Sequence, residues 1–181
     1  MTRQEALQLL NECIDELFRN DLILLRNDVS ERAITHKLAE YLQARVPKLN
    51  VDCEYNRNAE AGTFAPKYLN LIESRRKEVI GKIRVDQVPE EDLRACSTFP
   101  DIIIHHRGTN DANTLIIEAK KKNSTVADEF DFAKLRGFTG DNDGNEYSYE
   151  HGVFIEFETA VDKPSRPKLT WFSKGREDAA D

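Results

Sequence analysis

Cysteine, glycine and long apolar runs are all scarce in this chain. Its 181 residues include three cysteines, eight glycines, six prolines, one methionine and one tryptophan. Cys13, Cys53 and Cys96 are odd in number and stand at no metal-ligand spacing. That argues against a zinc cluster or a disulfide framework and for reduced, structural thiols. No run approaches a membrane span and no secretory leader is recognisable, so the expectation is a cytoplasmic protein with no membrane partner. Glycine-rich phosphate loops, serine elbows with a histidine partner, internal repeats and linkers are also missing. Bases are outnumbered, 26 Lys and Arg against 33 Asp and Glu, for a net charge of −7. Such a balance speaks against a general, charge-driven binder of nucleic acid, but leaves room for a local basic patch or a bound cation.

What the chain does have is 39% hydrophobic and 33% charged residues, the composition of one soluble domain with a modest core. Its most informative stretch runs from Phe99 to Lys122. Pro100-Asp101-Ile102-Ile103-Ile104-His105-His106 and Leu115-Ile116-Ile117-Glu118-Ala119-Lys120-Lys121-Lys122 are two β-rich apolar runs. Between them lies a loop rich in Gly, Asn and Asp, which predicts an antiparallel hairpin. One acid opens the first strand and another stands near the end of the second, so pairing brings Asp101 and Glu118 side by side. Glu118 and Lys120 are two apart and share a strand face. Two carboxylates this close repel unless a proton or a cation sits between them. A magnesium-type ion suits such a pair, because it takes oxygen ligands and keeps several waters.

Pro100-Asp101 followed by Glu118-Ala119-Lys120 resembles the signature of the PD-(D/E)xK nucleases, the restriction-endonuclease-like superfamily. The resemblance covers residues 28 to 158 and implies an α/β fold with an α-β-β-β-α-β core, a mixed central sheet flanked by helices. It implies that Asp101, Glu118 and the Ala119 carbonyl hold Mg2+, with Mn2+ able to substitute. Lys120 would then orient or deprotonate the attacking water, and the reaction would be phosphodiester hydrolysis, with DNA as substrate. A homodimer or a partner subunit is compatible with it. A long insertion and the acidic charge depart from the pattern and bear on how substrate is engaged. The alternative is a non-catalytic module of the same fold that binds DNA or a protein, in which a lysine bridges the two acids as an internal salt bridge.

The flanking elements follow in a matching order. Apolar periodicity predicts a helix over residues 2–25, then a second from about Asp28 to Arg45, ended by Val46-Pro47. Glu31 falls on the buried stripe of that second helix. By resemblance it is an additional active-site Glu; by sequence pattern it forms a capping box with Asp28. Val51 to Arg57 alternates as a half-buried strand. Residues 58–98 form an insertion within the single domain, with a short helix around Tyr68 to Ile80. Arg75, Arg76, Lys77, Lys82 and Arg84 make it locally basic, either a phosphate-contacting arm or a solvated helix face.

After the hairpin a helix is predicted from Val126 to Gly137. By resemblance its Lys134 could face the site and touch substrate, although a surface lysine is the simpler reading. Asp141, Asp143, Gly144 and Glu150 mimic part of a calcium loop, but Thr139 holds the place where Asp is needed. The mimicry is therefore read as a turn-rich loop. Strands are expected at 152–157 and 168–172, and a flexible tail at 177–181. His105, on the face of Asp101, is read as a satisfied sheet histidine.

Overall fold

The structure is a computed structural model that describes residues 1–55, 99–140 and 147–179, and the backbone at 68–69 and 96–97. Helix α1 (Arg3–Asn20) starts at a capping box. Thr2 Oγ1 accepts from the Glu5 amide at 3.2 Å, and Glu5 Oε2 accepts from the Thr2 amide at 2.7 Å. Ala6, Leu10, Cys13, Ile14 and Leu17 form its buried stripe. The single helix expected over 2–25 is broken at Asp21, where φ is −128°, and resumes as α2 (Leu22–Arg26). The break has a partner: the Asp21 carboxylate accepts from the Tyr41 hydroxyl on α3 (Glu31–Arg45).

Strand β1 (Asn50–Cys53) is shorter than predicted, because Glu54 takes a φ of 49° and turns its amide to the Pro100 carbonyl. Two short strands, β2 (Tyr68–Leu69) and β3 (Cys96–Ser97), pair antiparallel where the insertion was predicted. Tyr68 and Leu69 are thus extended where a helix was expected, and the basic run from Arg75 to Arg84 lies outside the described residues. The sequence then continues through β4 (Ile102–His105), β5 (Leu115–Lys121), α4 (Glu129–Thr139), β6 (His151–Phe157), β7 (Lys168–Ser173) and β8 (Arg176–Glu177). Glu177, assigned from sequence to a flexible tail, pairs with Phe172, and the Asp178 amide bonds to the Trp171 carbonyl at 2.9 Å.

Six strands make one mixed sheet in the order β1-β4-β5-β6-β7-β8. Its neighbours are antiparallel except β5 and β6, which run parallel and are joined across α4. Strand alternation divides the core. Ile102, Ile104, Leu115, Ile117, Val153 and Ile155 pack with α1, α2 and α3, while Ile103, Ile116, Phe154 and Phe172 pack with Leu135 and Phe138 of α4. Helix α4 lies close to β6 because residue 152 is glycine. A Cβ there would stand 3.1 Å from Thr139 Cγ2 and 3.2 Å from Leu135 Cδ2. Among the described residues, no helix is long and apolar enough to cross a membrane.

Candidate active site at the open end of the β4–β5 hairpin

The last paired rung of the hairpin is Ile102 opposite Ile117. One step further, Asp101 stands across from Glu118, as the sequence predicted. Beyond this rung β4 no longer supplies main-chain partners, and side chains take over. Asp101 Oδ2 accepts from the Ala119 amide at 2.8 Å. Glu31 Oε1 accepts from the Lys121 amide at 2.9 Å. Two carboxylates from different elements thereby cap alternate N–H groups along one edge of β5.

Glu31 arrives there from the first turn of α3. Its helix is capped by Ser30, whose Oγ accepts from the Ala33 amide at 3.3 Å. The capping box with Asp28 is therefore replaced. Asp28 has a φ of 50° and turns its carboxylate to the Thr159 hydroxyl at 2.6 Å and to Lys121 Nζ at 3.1 Å. Glu31 is left free to reach the sheet.

Residues 116, 118 and 120 share the sheet face covered by α4, so Glu118 and Lys120 both meet that helix. Their partners differ. Lys120 Nζ donates to Asp131 Oδ2 at 2.8 Å and to the Ala127 carbonyl at 2.9 Å, and lies 3.2 Å from Asp128 Oδ1. Glu118 Oε2 instead accepts from Lys134 Nζ, which also lies 3.2 Å from Asp131 Oδ1. Lys134 is 7% exposed, so the surface-lysine reading is corrected: α4 turns it into the sheet. The helix begins at Glu129 rather than Val126, which is 64% exposed. Acids at Glu129 and Asp131 favour the positive N-terminal end of a helix, which helps to set that start.

Asp128 and Asp131 are the members of this site that the sequence reading missed. The signal was present: Asp128, Asp131 and Lys134 recur every three residues, which in a helix places them along one face. Gly152 is a second, indirect member, since it lets α4 approach closely enough for Lys134 to reach Glu118.

Burial governs the electrostatics. It pushes the Asp101 carboxyl up to about 6, against the opposing pull of the Ala119 amide and Lys134. Burial and the charge of Asp101 hold Glu118 well above the ordinary carboxylate range, although Lys134 pulls it down. For Lys134 burial favours the neutral amine, but Glu118, Asp131 and Asp101 outweigh it and hold the ammonium above its usual pKa.

One oxygen is left over. Glu118 Oε1 is buried and, among the described residues, has no hydrogen-bond partner, in a residue only 1% exposed. An orphaned, desolvated carboxylate oxygen costs about 1–3 kcal/mol or more, so its persistence calls for an explanation. Among the described residues, no three His, Cys, Asp or Glu side chains are grouped as a cage for a metal. Magnesium does not need such a cage, since it is usually held by one or two carboxylates together with waters and substrate oxygens. Asp101 and the spare oxygen of Glu118 fit that requirement. So does the Ala119 carbonyl, which projects from the same edge of β5 as its own amide.

His105 belongs to a different cluster. Its Nε2 lies 2.9 Å from Asp52 Oδ2, which also accepts from Arg107 Nε at 2.8 Å, and its ring leans on Tyr55 at 4.9 Å. It is a satisfied sheet histidine, as the sequence indicated. His106 falls just past the end of β4 and is exposed. Of the loop that mimics a calcium site, residues 141–146 lie outside the described residues. Arg75 and Arg76, expected to contact substrate, also lie outside them. No family model matches this chain, and no curated protein or solved structure matches it.

Proposed function

We propose that the chain is a metal-dependent nuclease of the PD-(D/E)xK type that hydrolyses phosphodiester bonds in DNA. The observation that carries this reading is the placement of Asp101 opposite Glu118, one step beyond the last paired rung of the hairpin, with Glu118 Oε1 buried and, among the described residues, unpartnered. The order α3-β1-β4-β5-α4-β6 supports it, since it parallels the α-β-β-β-α-β core that the family resemblance implies. Asp101, Glu118 and the Ala119 carbonyl would hold magnesium. When bound, that ion lowers the pKa of a water and neutralises charge on the phosphate. Glu31 adds negative charge beside the cation-binding edge. Lys120, fixed by Asp131, Asp128 and the Ala127 carbonyl, supplies a positioned ammonium on the face of Glu118. Such a group stabilises charge that develops on a scissile phosphate.

A second reading has its own observation. Lys134 already neutralises Glu118, which is what a non-catalytic module with an internal salt bridge would show. In that module the bridging lysine is Lys134 rather than Lys120. Incubating the protein with plasmid, linear, single-stranded and branched DNA, and with RNA, in magnesium or manganese and in chelator separates the two. The nuclease reading expects metal-dependent cleavage that Asp101→Asn abolishes. A parent inert on every substrate would leave the module.

A further inference from the structure

The sheet carboxylates already have a cation against them, and it is covalently part of the protein. Lys134 Nζ bonds Glu118 Oε2 and lies close enough to Asp101 to pull its pKa down. Its ammonium is buried with Glu118, beside a half-buried Asp101. A divalent ion on Asp101 and Glu118 would therefore meet a like charge a few ångströms away, in a setting where little water screens the repulsion. Both cannot keep Glu118 at full strength.

Helix α4 cannot easily relieve the conflict by backing away, because it is packed through Leu135 and Phe138 into the core. The side chain can move instead. Lysine has four rotatable bonds and a compact head group, so its ammonium can travel without moving the backbone. A second acceptor stands ready. Asp131, one turn earlier on the same helix, has Oδ1 only 3.2 Å from Lys134 Nζ. Its other oxygen is committed to Lys120. Lys120 is held by three acceptors, Asp131, Asp128 and the Ala127 carbonyl, so it is the anchored lysine and Lys134 the movable one.

Resting on the cation-binding reading of Asp101 and Glu118, we propose that Lys134 is a resident competitor for the metal. In the metal-free protein its ammonium compensates Glu118; when a divalent cation binds, it withdraws to Asp131. The competition makes cation affinity weaker than the carboxylates alone would give. It also keeps the two acids from repelling one another open when no metal is present.

The test uses the full chain and manganese chloride as the only added ligand. Calorimetry and thermal melting are run on the parent, Lys134→Met and the double variant Asp101→Asn/Lys134→Met. Without manganese, Lys134→Met should melt about 10 °C below the parent, as expected when one partner of a buried pair is removed. It should bind manganese about tenfold or more tightly than the parent does. Saturating manganese should bring its melting point up to that of the parent, because the ion takes over the compensating role. The double variant should show neither the tighter binding nor the rescue.

A lysine with a purely structural role predicts a melting deficit that persists at saturating manganese, and that result overturns the proposal. Unchanged affinity in Lys134→Met overturns it as well. If Lys134→Met does not fold in metal-free buffer, refolding in manganese should recover it, and a chain unfolded in both conditions overturns the proposal. DNA cleavage is read separately, in the assay that tests the proposed function. A parent that never cuts, beside a Lys134→Met variant with tighter manganese binding, would sink the nuclease reading and leave the competition standing. A cleaving parent with unchanged affinity in the variant would do the reverse.

Discussion

Asp101 accepts a hydrogen bond from the Ala119 amide at 2.8 Å, across a rung of the hairpin where β4 has ceased to pair with β5. A side chain stands in for a main chain, and the strands can part without orphaning the amide. The parting is what makes the site, since a fully zipped hairpin would present carbonyls and amides to each other at that end.

Replacing Asp101 by Asn should preserve that hydrogen bond, because the amide oxygen remains an acceptor. Folding stability should hold to within about 1 kcal/mol, while manganese binding by calorimetry should disappear. Undiminished binding in Asp101→Asn would move the cation elsewhere.

The raised pKa of Asp101 gives a signed pH dependence. An unfolded aspartate titrates near 3.9, and burial lifts the folded value to about 6. The folded state therefore holds the proton more tightly. Its stabilising effect is fully present below about pH 4 and is lost as pH rises through about 6. Melting curves of the parent against Asp101→Asn should thus show the parent losing stability relative to the variant across that window. Cation binding should run the opposite way, strengthening as the carboxyl ionises.

Glu31 separates hydrogen bonding from charge. Glu31→Gln keeps an acceptor for the Lys121 amide and should melt like the parent, yet should lower cleavage if the charge matters to the site. Glu31→Ala removes the acceptor and should cost about 1 kcal/mol in addition. Equal melting of all three proteins would show that the amide finds water instead.

Lys120→Ala should lose cleavage by about two orders of magnitude or more, while retaining manganese binding, since an ammonium donates no lone pair to a metal. It should also melt lower, because Asp128 loses its cation and Asp131 keeps only Lys134. Single-turnover cleavage and calorimetry in one buffer report both. The module reading expects the melting change alone.

Gly152→Ala probes the packing behind the site. The added methyl would press on Leu135 and Thr139, and overpacking of this kind costs about 1–3 kcal/mol. Displacing α4 should also loosen the Lys134–Glu118 pair, so manganese affinity should change even though residue 152 lies on another strand. The basic run gives a separate prediction from sequence. Neutralising Arg75, Arg76, Lys77, Lys82 and Arg84 together should weaken DNA binding and flatten its salt dependence.

The sequence by itself determined the hairpin, its register and the meeting of Asp101 with Glu118. Two continuous apolar runs mark β4 and β5 as strands buried on both faces, and the polar loop between them sets how they pair. It also determined the order α3-β1-β4-β5-α4-β6-β7, because 3.6-residue and two-residue periods are local signals. Contacts between elements distant in the chain were decided only by the tertiary structure. Ser30 rather than Asp28 caps α3, because Asp28 finds Thr159 and Lys121, 131 and 93 residues further along. Lys134 is buried rather than solvated because the crossover from β5 to β6 lays α4 over Glu118, and the missing side chain at Gly152 lets it come close. A lysine in a short amphipathic helix looks the same in sequence whichever way it faces. What it meets is set by how the helix is rotated on the sheet, and that rotation is fixed by Leu135 and Phe138 filling the core beneath it.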